Sequence, residues 1–466
     1  MKLKGKEHIH FIGIGGIGMS AIAIVLLKMG HKVSGSDAKA SKMTQKIEAS
    51  GGKFYLGHDA KNIKGADIVV FSSSITPENP ELKAARDRKV TTLHRADMLA
   101  LIMNGRKGVA VTGAHGKTTT SSLIAHILFK AGLDPTVILG GEVKSLGGNA
   151  RTGKGEYFVV EADESDGSFV HLKPFYGVVT NIDAEHLDYY RNMGEIISWY
   201  LKFIGNIKPG GKLFACGDCE NLKRALGGYP YEVVTFGISK DHHIYPEDVK
   251  MSDSHSEFGV VYRGKRLGHA AINIPGIHNV SNALGAFAVA LELGLDFGTI
   301  RRAVEDFTGA ARRFQVKYSA SGVKVIDDYA HHPAEIKATI LAAKNWKPKR
   351  LIVAFQPHRF SRTKYLKERF GRCFDMADKL ILTDIYAASE EELENVSGRS
   401  IYEEVKNHGH KDVVYLPKKE LKEYLLNDIK RGDMVLMMGA GDITSIAEEL
   451  TQGLSKKKWR RSKKKT

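Results

Sequence analysis

The segment Gly108-Val109-Ala110-Val111-Thr112-Gly113-Ala114-His115-Gly116-Lys117-Thr118 constrains the architecture of this 466-residue chain more than any other. Its apolar start reads as a buried strand, the glycines as a tight loop, and Thr118-Thr119-Thr120-Ser121-Ser122 as the opening of a helix. Strand, loop and helix in that order belong to α/β folds built on a parallel sheet. Glycines let the backbone come close to an anion, and the amide N–H groups of a helix start carry fixed partial positive charge. Lys117 is placed to reach the outer phosphates of ATP, and the Thr118 hydroxyl to ligate Mg²⁺. The spacing G-x-x-G-K-T is shorter than the common G-x-x-x-x-G-K-[ST]. A helix cap that happens to contain Gly-Lys-Thr is the competing reading. Gly113, Ala114, His115, Gly116, Lys117, Thr118 and Thr119 are thereby assigned to ATP.

Upstream, strand-like and helix-like patterns alternate: His8 to Ile12, a helical stretch from Ser20 to Met29, then Lys32 to Asp37 and Ala66 to Ser72. Between the first two, Gly13-Ile14-Gly15-Gly16-Ile17-Gly18 fits G-x-G-x-x-G, and Asp37 follows about 20 residues on, where a ribose-binding acid belongs. Alone, this motif reads as an NAD-dependent oxidoreductase. With a separate ATP loop one domain later, it reads as a cradle for a nucleotide sugar. A tight turn without a ligand is the bland alternative.

Downstream, the strand Tyr157 to Val160 ends in Glu161-Ala162-Asp163-Glu164, carboxylates able to hold a cation at the ligand-binding edge of a sheet. Val178 to Asn181 is another strand, and the loop after it sets His186 among Asp183, Glu185 and Asp188. Asn279 to Leu293 is helical. A third block carries the strands Val323 to Asp327, Arg350 to Phe355, Lys379 to Thr383 and Met434 to Gly439, with a helix over Pro333 to Ala343. The expected architecture is three consecutive α/β domains: N-terminal Rossmann-like (1–106), central P-loop ATPase-type with a mostly parallel sheet (107–311), and C-terminal Rossmann-like (312–453), followed by a basic tail (454–466).

Composition narrows the classes. Apolar and charged fractions of 42% and 26% suit a globular enzyme rather than a disordered chain. The net charge of +16 invites a nucleic-acid reading, but Lys456 to Lys465 holds eight basic and no acidic residues, so half the excess lies in the tail. Nucleic-acid binding is therefore disfavoured, and the spread remainder suits anionic small substrates. The longest apolar run, Ala21 to Leu27, is too short to span a bilayer, so no membrane insertion is expected. With no leader pattern at Met1 to Gly5 and only Cys216, Cys219 and Cys373, the expected compartment is cytoplasmic. Cys216 and Cys219 form a C-x-x-C with no second pair, a weak zinc signal.

Several segments, taken together and in order, resemble the Mur ligase family: His10-Phe11-Ile12-Gly13-Ile14-Gly15-Gly16-Ile17-Gly18-Met19-Ser20, the loop at 113–120, Glu161 to Asp166, Pro275-Gly276-x-His278-Asn279-x-x-Asn282-Ala283, Arg312-Arg313-Phe314, Asp327 to Pro333 and Gln356-Pro357-His358-Arg359. The likeness spans essentially residues 5–450. It implies ATP-dependent joining of L-alanine to the carboxylate of UDP-N-acetylmuramate through an acyl phosphate, in peptidoglycan precursor synthesis. It also implies roles. Gly13, Gly15, Gly16, Gly18, Met19 and Ser20 would hold the UDP-sugar. Thr118, Glu161 and His186 would hold Mg²⁺, and Asn279 and Asn282 would contact the adenine nucleotide. Lys117, His186, Arg313 and Asp328 would be catalytic, His186 as candidate general base. Tyr329, His358, Arg359 and Arg362 would surround the alanine. Plainer readings stand beside these: capping for the two asparagines, surface pairing for Arg312 and Arg313, and a purely structural His331-His332-Pro333 turn. Two features depart from the family pattern: Ala114, where many members have Thr, and the basic tail. A sister ligase adding a preformed peptide is the nearest rival function.

Overall fold

Five strands open the chain, and every pairing between them is parallel. The computed structural model describes residues 3–187, 189–229, 232–252, 255–388 and 390–457. In chain order the first elements are β1 (His8–Ile12), α1 (Ile17–Lys28), β2 (Lys32–Asp37), α2 (Lys42–Ala49), β3 (Lys53–Leu56), β4 (Ile68–Phe71), α3 (Pro80–Asp87), β5 (Thr91–His94) and α4 (Arg95–Met103). The sheet order is β3-β2-β1-β4-β5, with β1 in the middle. Alternation along β1 sends Ile9 and Phe11 into the core shared with α1 and α4, and Ile12 into a smaller core with Leu82 and Ala85 of α3. Helices thus cover both faces, as parallel strands require.

The central sheet is built from β6 (Lys107–Thr112), α5 (Lys117–Lys130), β7 (Thr136–Val143), β8 (Gly148–Arg151), β9 (Tyr157–Glu161), β10 (Tyr176–Val179), α6 (Met193–Gly205), β11 (Lys212–Cys216), α7 (Glu220–Ala225), β12 (Val233–Phe236), β13 (Ile244–Met251), β14 (Ser256–Tyr262), β15 (Lys265–Ile272), α8 (Ile277–Glu292) and α9 (Phe297–Asp306). Its ten strands run in the order β15-β14-β13-β12-β11-β10-β6-β9-β7-β8. Strands β7, β9, β6, β10, β11 and β12 pair in parallel, and β8 closes one edge antiparallel to β7. These two sheets form one compact unit, Met1–Val249 with Phe258–Ile272 and Val280–Ala310.

The second unit comprises Lys250–Glu257, Asn273–Asn279 and Ala311–Thr466. Its elements are β16 (Gln315–Ala320), β17 (Val323–Asp328), α10 (Pro333–Lys344), β18 (Arg350–Phe355), α11 (Phe360–Tyr365), α12 (Lys367–Gly371), β19 (Lys379–Leu382), α13 (Gly398–Asn407), β20 (Val413–Tyr415), α14 (Lys418–Asp428), β21 (Asp433–Met438) and α15 (Ile443–Lys456). The sheet order is β16-β17-β21-β18-β19-β20, parallel except for the β16–β17 hairpin. Ile326, Leu351 and Val353 pack under α10 and α13, while Val325, Ile352 and Ala354 pack under α14 and α15.

Three successive α/β sheets agree with the architecture read from the sequence. Helix α1 begins at Ile17 rather than Ser20, because extended Gly16 caps it without a side chain that would have marked the start. Helix α15 runs through Lys456, three residues into the stretch read as tail; Lys458 to Thr466 lie outside the described residues. Among the described residues no helix is long and apolar enough to cross a membrane.

Candidate active site

The loop from Gly113 to Thr118 joins β6 to α5, and its shape depends on two glycines. Gly116 is the N-cap of α5 at φ +82°, a left-handed conformation that glycine adopts without strain. A Cβ there would lie 2.5 Å from Asn282 Oδ1, and one on Gly113 would lie 2.1 Å from Thr180 Oγ1. No side chain caps α5. The N–H groups of its first turn, which have no intrahelical partners, are therefore left for an anion. The tip of the loop is anchored by the residues after β10. Thr180 Oγ1 and Asn181 Nδ2 donate to the His115 carbonyl at 2.6 and 2.9 Å, and Asn181 Oδ1 accepts from His115 N at 2.9 Å. His115 Nε2 lies 3.1 Å from Asp183 Oδ2.

Lys117 folds back over this loop. Its Nζ donates to the carbonyls of Gly113 (2.6 Å) and Ala114 (3.1 Å) and to Glu164 Oε1 (2.9 Å). Burial works against the ammonium charge, but the carboxylates of Glu164, Asp163 and Glu161 outweigh it and hold the pKa above that of an ordinary lysine. His186 Nε2 is 3.6 Å from the same Glu164 oxygen and 3.8 Å from Glu185 Oε2. His186 sits at φ +55°, a conformation that a non-glycine residue holds only where the surroundings impose it. Glu161, at the end of β9, accepts from Gly140 N at 3.0 Å, and a Cβ on the next glycine, Gly141, would meet the Thr118 methyl at 3.0 Å. Glu161 and Thr118 therefore border the same Gly140–Gly141 pair.

Asn279 and Asn282 part company. Asn282 Oδ1 accepts from Thr120 Oγ1 at 3.3 Å beside Gly116. Asn279 Nδ2 donates to the Pro275 carbonyl at 2.8 Å, anchoring the turn that leads into α8.

In the first sheet the glycine loop 13–18 follows β1, and Asp37 meets it: Gly15 N donates to Asp37 Oδ2 at 3.0 Å. Met19 and Ser20 are buried in the first turn of α1, where the Ser20 hydroxyl donates to Ile17 O at 3.1 Å. Gly18 faces Arg95; a Cβ there would be 3.2 Å from its Nη1. Arg95 in turn lies 3.8 Å from Asp163 and 3.7 Å from Asp166. Arg95 and the acidic segment thus link the glycine loop to the surroundings of Lys117.

In the second unit, Asp328 is buried with both oxygens engaged. Oδ2 accepts from Phe314 N (2.6 Å), and Oδ1 from Ala330 N (2.8 Å) and Thr339 Oγ1 (3.3 Å). Burial pushes its pKa up to about 6 against the pull of Arg313 and the two N–H groups. Asp328 thereby ties down the turn in which Arg312 and Phe314 both have positive φ. Arg313 lies 5.2 Å from the Tyr329 ring and 3.9 Å from Glu335. His358 stacks on Tyr386 at 5.7 Å and 14°, and its Nδ1 is 3.1 Å from Arg362 Nη1. The arginine can only donate, so the neutral ring carries its proton on Nε2. Burial first, then His331 and the three arginines 362, 359 and 312, hold its pKa far below the usual value. Arg359, at φ +71°, caps α11, and its Nη1 lies 3.9 Å from Glu390. His332 caps α10: its Nδ1 accepts from Ala334 N, and Glu335 reaches back to its N–H.

Sequence reasoning named Glu164 only within a run of carboxylates and gave no role to Thr180, Asn181 or Arg95. Glu164 is three residues beyond Glu161, and the strong strand before it was the available signal.

Known proteins resemble this chain over nearly its whole length. Family models match three consecutive segments: the Mur ligase family catalytic domain over residues 8–107, the Mur ligase middle domain over 111–290, and the Mur ligase glutamate ligase domain over 312–441. The UDP-N-acetylmuramate–L-alanine ligase of Pelotomaculum thermopropionicum is 46% identical over 451 residues, covering 96% of this chain and 98% of its own. That of Trichlorobacter lovleyi is also 46% identical, covering 96% and 99%. Among solved structures, the UDP-N-acetylmuramate–alanine ligase of Thermotoga maritima superposes with a TM-score of 0.83 at 31% identity, covering 96% of this chain and 99% of that one. Matched along its length by all three models and by full-length relatives, the chain belongs to the Mur ligase family.

Proposed function

We propose that this chain uses ATP to join L-alanine to the carboxylate of UDP-N-acetylmuramate. The observation that carries the reading is the phosphate loop itself: an uncapped helix start with Lys117 folded over it and a ring of carboxylates behind. The 46% identity to enzymes of that name, over nearly the whole of both chains, supports the choice of substrates.

A carboxylate is a poor acyl donor, because its leaving group would be oxide. One of its oxygens attacks the γ-phosphorus of ATP and ADP departs, leaving an acyl phosphate. The alanine amine then adds to the acyl carbon, and phosphate leaves as the amide forms. Both steps gather negative charge, which Lys117 and the first-turn N–H groups of α5 are placed to offset. To reach the phosphates Lys117 exchanges the Gly113 and Ala114 carbonyls for phosphate oxygens. The hydroxyl of Thr118 and the carboxylate of Glu161, hard oxygen donors beside one glycine pair, suit Mg²⁺ and would hold it. When bound, the ion neutralises phosphate charge. His186 accepts the proton that the alanine ammonium loses before attack, its imidazolium favoured by Glu164 and Glu185. The loop Gly13–Gly18, with Met19, Ser20 and Asp37, holds the UDP end. Asn279 and Asn282 serve the nucleotide, and Tyr329, His358, Arg359 and Arg362 serve the amino acid, with Arg313 and Asp328 as further catalytic residues.

The test is phosphate release from ATP and UDP-N-acetylmuramate with L-alanine, other amino acids and a tripeptide as acceptors. Release with alanine is expected; release with the tripeptide alone overturns the assignment in favour of a peptide-adding ligase.

A further inference from the structure

Behind the glycine loop of the first sheet lies a buried polar chain that none of the roles above uses. The register pairs His10 with Ser34 and Ile12 with Ser36, so His8, His10, Ser34 and Ser36 share one face. Glu81, in the first turn of α3, is brought to that face with 0% exposure. Ser36 holds the loop directly: its carbonyl accepts from Gly13 N at 2.8 Å and Ile14 N at 2.9 Å. The Ser36 hydroxyl donates to Glu81 Oε2 at 2.5 Å and accepts from His58 Nδ1 at 2.9 Å. Glu81 Oε1 accepts from Asn62 Nδ2 at 2.6 Å and Asp59 N at 3.3 Å, and His10 Nε2 faces Oε2 at 3.5 Å.

The hydrogen bonds fix where the protons are. A carbonyl only accepts, so His8 Nδ1 donates to Gly65 O at 2.8 Å. Burial lowers the pKa of His8 and keeps it neutral, so its Nε2 accepts from the Ser34 hydroxyl at 2.8 Å. That uses the only proton Ser34 has. His10 Nδ1 must then donate to Ser34 Oγ at 2.8 Å. A neutral His10 would point a bare lone pair at a carboxylate in the core, so its Nε2 carries a proton and faces Glu81 as an ion pair. Burial opposes ionisation of Glu81, but His10, Ser36 and Asn62 hold its carboxyl below the usual range. The other titratable groups around the pair are His8 with Asp67 on one side, His58 and Asp59 on the other, and Tyr55, whose ring is 6.2 Å from that of His10.

We propose that His10 and Glu81 are a buried ion pair that positions the glycine loop through Ser36, setting the first-turn N–H groups of α1 for the diphosphate of the sugar nucleotide. The inference rests on assigning that loop to the UDP-sugar.

Glu81→Gln and Ser36→Ala in the full chain test it. In each, the KM for UDP-N-acetylmuramate is expected to rise roughly tenfold while kcat and the KM for ATP stay within about twofold, as a positioning role requires. In wild-type protein, ¹⁵N shifts of His10 are expected to show both ring nitrogens protonated, and in Glu81→Gln only Nδ1. Should Glu81→Gln fail to fold, Ser36→Ala and the wild-type spectrum decide. An unchanged sugar-nucleotide KM in folded Ser36→Ala, or an unprotonated His10 Nε2 in wild type, overturns the proposal. Gly15→Val separates the two levels. If it leaves UDP-N-acetylmuramate binding intact, the loop assignment falls and the inference with it. If it abolishes binding while Ser36→Ala and Glu81→Gln do nothing, only the pair falls.

Discussion

Lys117 Nζ and Glu164 Oε1 are 2.9 Å apart, so the cation that should meet ATP has an anionic partner within the protein itself. Burial works against the Lys117 charge, and the carboxylates of Glu164, Asp163 and Glu161 offset that cost. Lys117→Met should therefore lower phosphate release by about 10³-fold, the scale of losing one preorganised charge at a reacting oxyanion. It should also destabilise the fold by about 3–5 kcal/mol, because it strands a buried carboxylate. The double variant Lys117→Met/Glu164→Gln should recover most of that stability in thermal melts and none of the activity. Recovery of activity would remove Lys117 from the mechanism.

Gly116→Ala combines two penalties, positive φ and the approach of its Cβ to Asn282 Oδ1 at 2.5 Å. The expected loss is about 2 kcal/mol, with ATP binding weakened at least tenfold. Adding Asn282→Ala removes the clash but not the strain, so about half the stability loss should remain. A calorimetric melt of the four proteins in the cycle measures the split.

Glu292 gives a pH signature away from the site. Lys212, Tyr262 and Arg263 all bond to it, and despite burial these partners hold its carboxyl down to about 2, against 4.5 unperturbed. A depressed carboxyl contributes stability above its unfolded pKa and loses it as pH falls through the folded one. Because Lys212 and Arg263 are partly exposed, about 1–2 kcal/mol is expected rather than the full shift. Urea melts of Glu292→Gln and wild type should differ by that amount at neutral pH and converge toward pH 2. A constant difference across the range would refute the ion-pair account.

His358 is neutral, stacked on Tyr386 and bonded to Arg362. If it lines the alanine site, His358→Gln should raise the KM for L-alanine about tenfold while leaving that for ATP unchanged. The alanine KM of wild type should show no His358 titration across the neutral range. A KM change confined to ATP would place the residue elsewhere.

The sequence was most informative where burial is complete. β18 was read to the residue because a central parallel strand is a nearly continuous apolar run; in β1 two histidines interrupt the run, but the glycine loop marks its end. Strands β12 to β15 escaped, since their half-exposed alternation, as in β13, dilutes the signal with charged residues. Lys117 and Gly116 were legible from local spacing alone. Glu164 was not, because Glu161, Asp163, Glu164 and Asp166 crowd one short segment and only the folded turn selects the one that meets Lys117. Asp328 shows the converse: an acid singled out for chemistry spends both oxygens tying down the turn at Arg312 to Phe314. Such non-local partnerships have no periodicity to read.

The phosphate loop is boxed in by Thr180 at Gly113 and by Asn282 at Gly116. An inhibitor gripping only the backbone N–H groups of this loop would contact atoms that the cell cannot recode by point mutation. Escape by bulking up the loop would first dismantle the cradle ATP needs, so resistance would have to arise at more distant contacts, where side chains rather than the main chain make the grip.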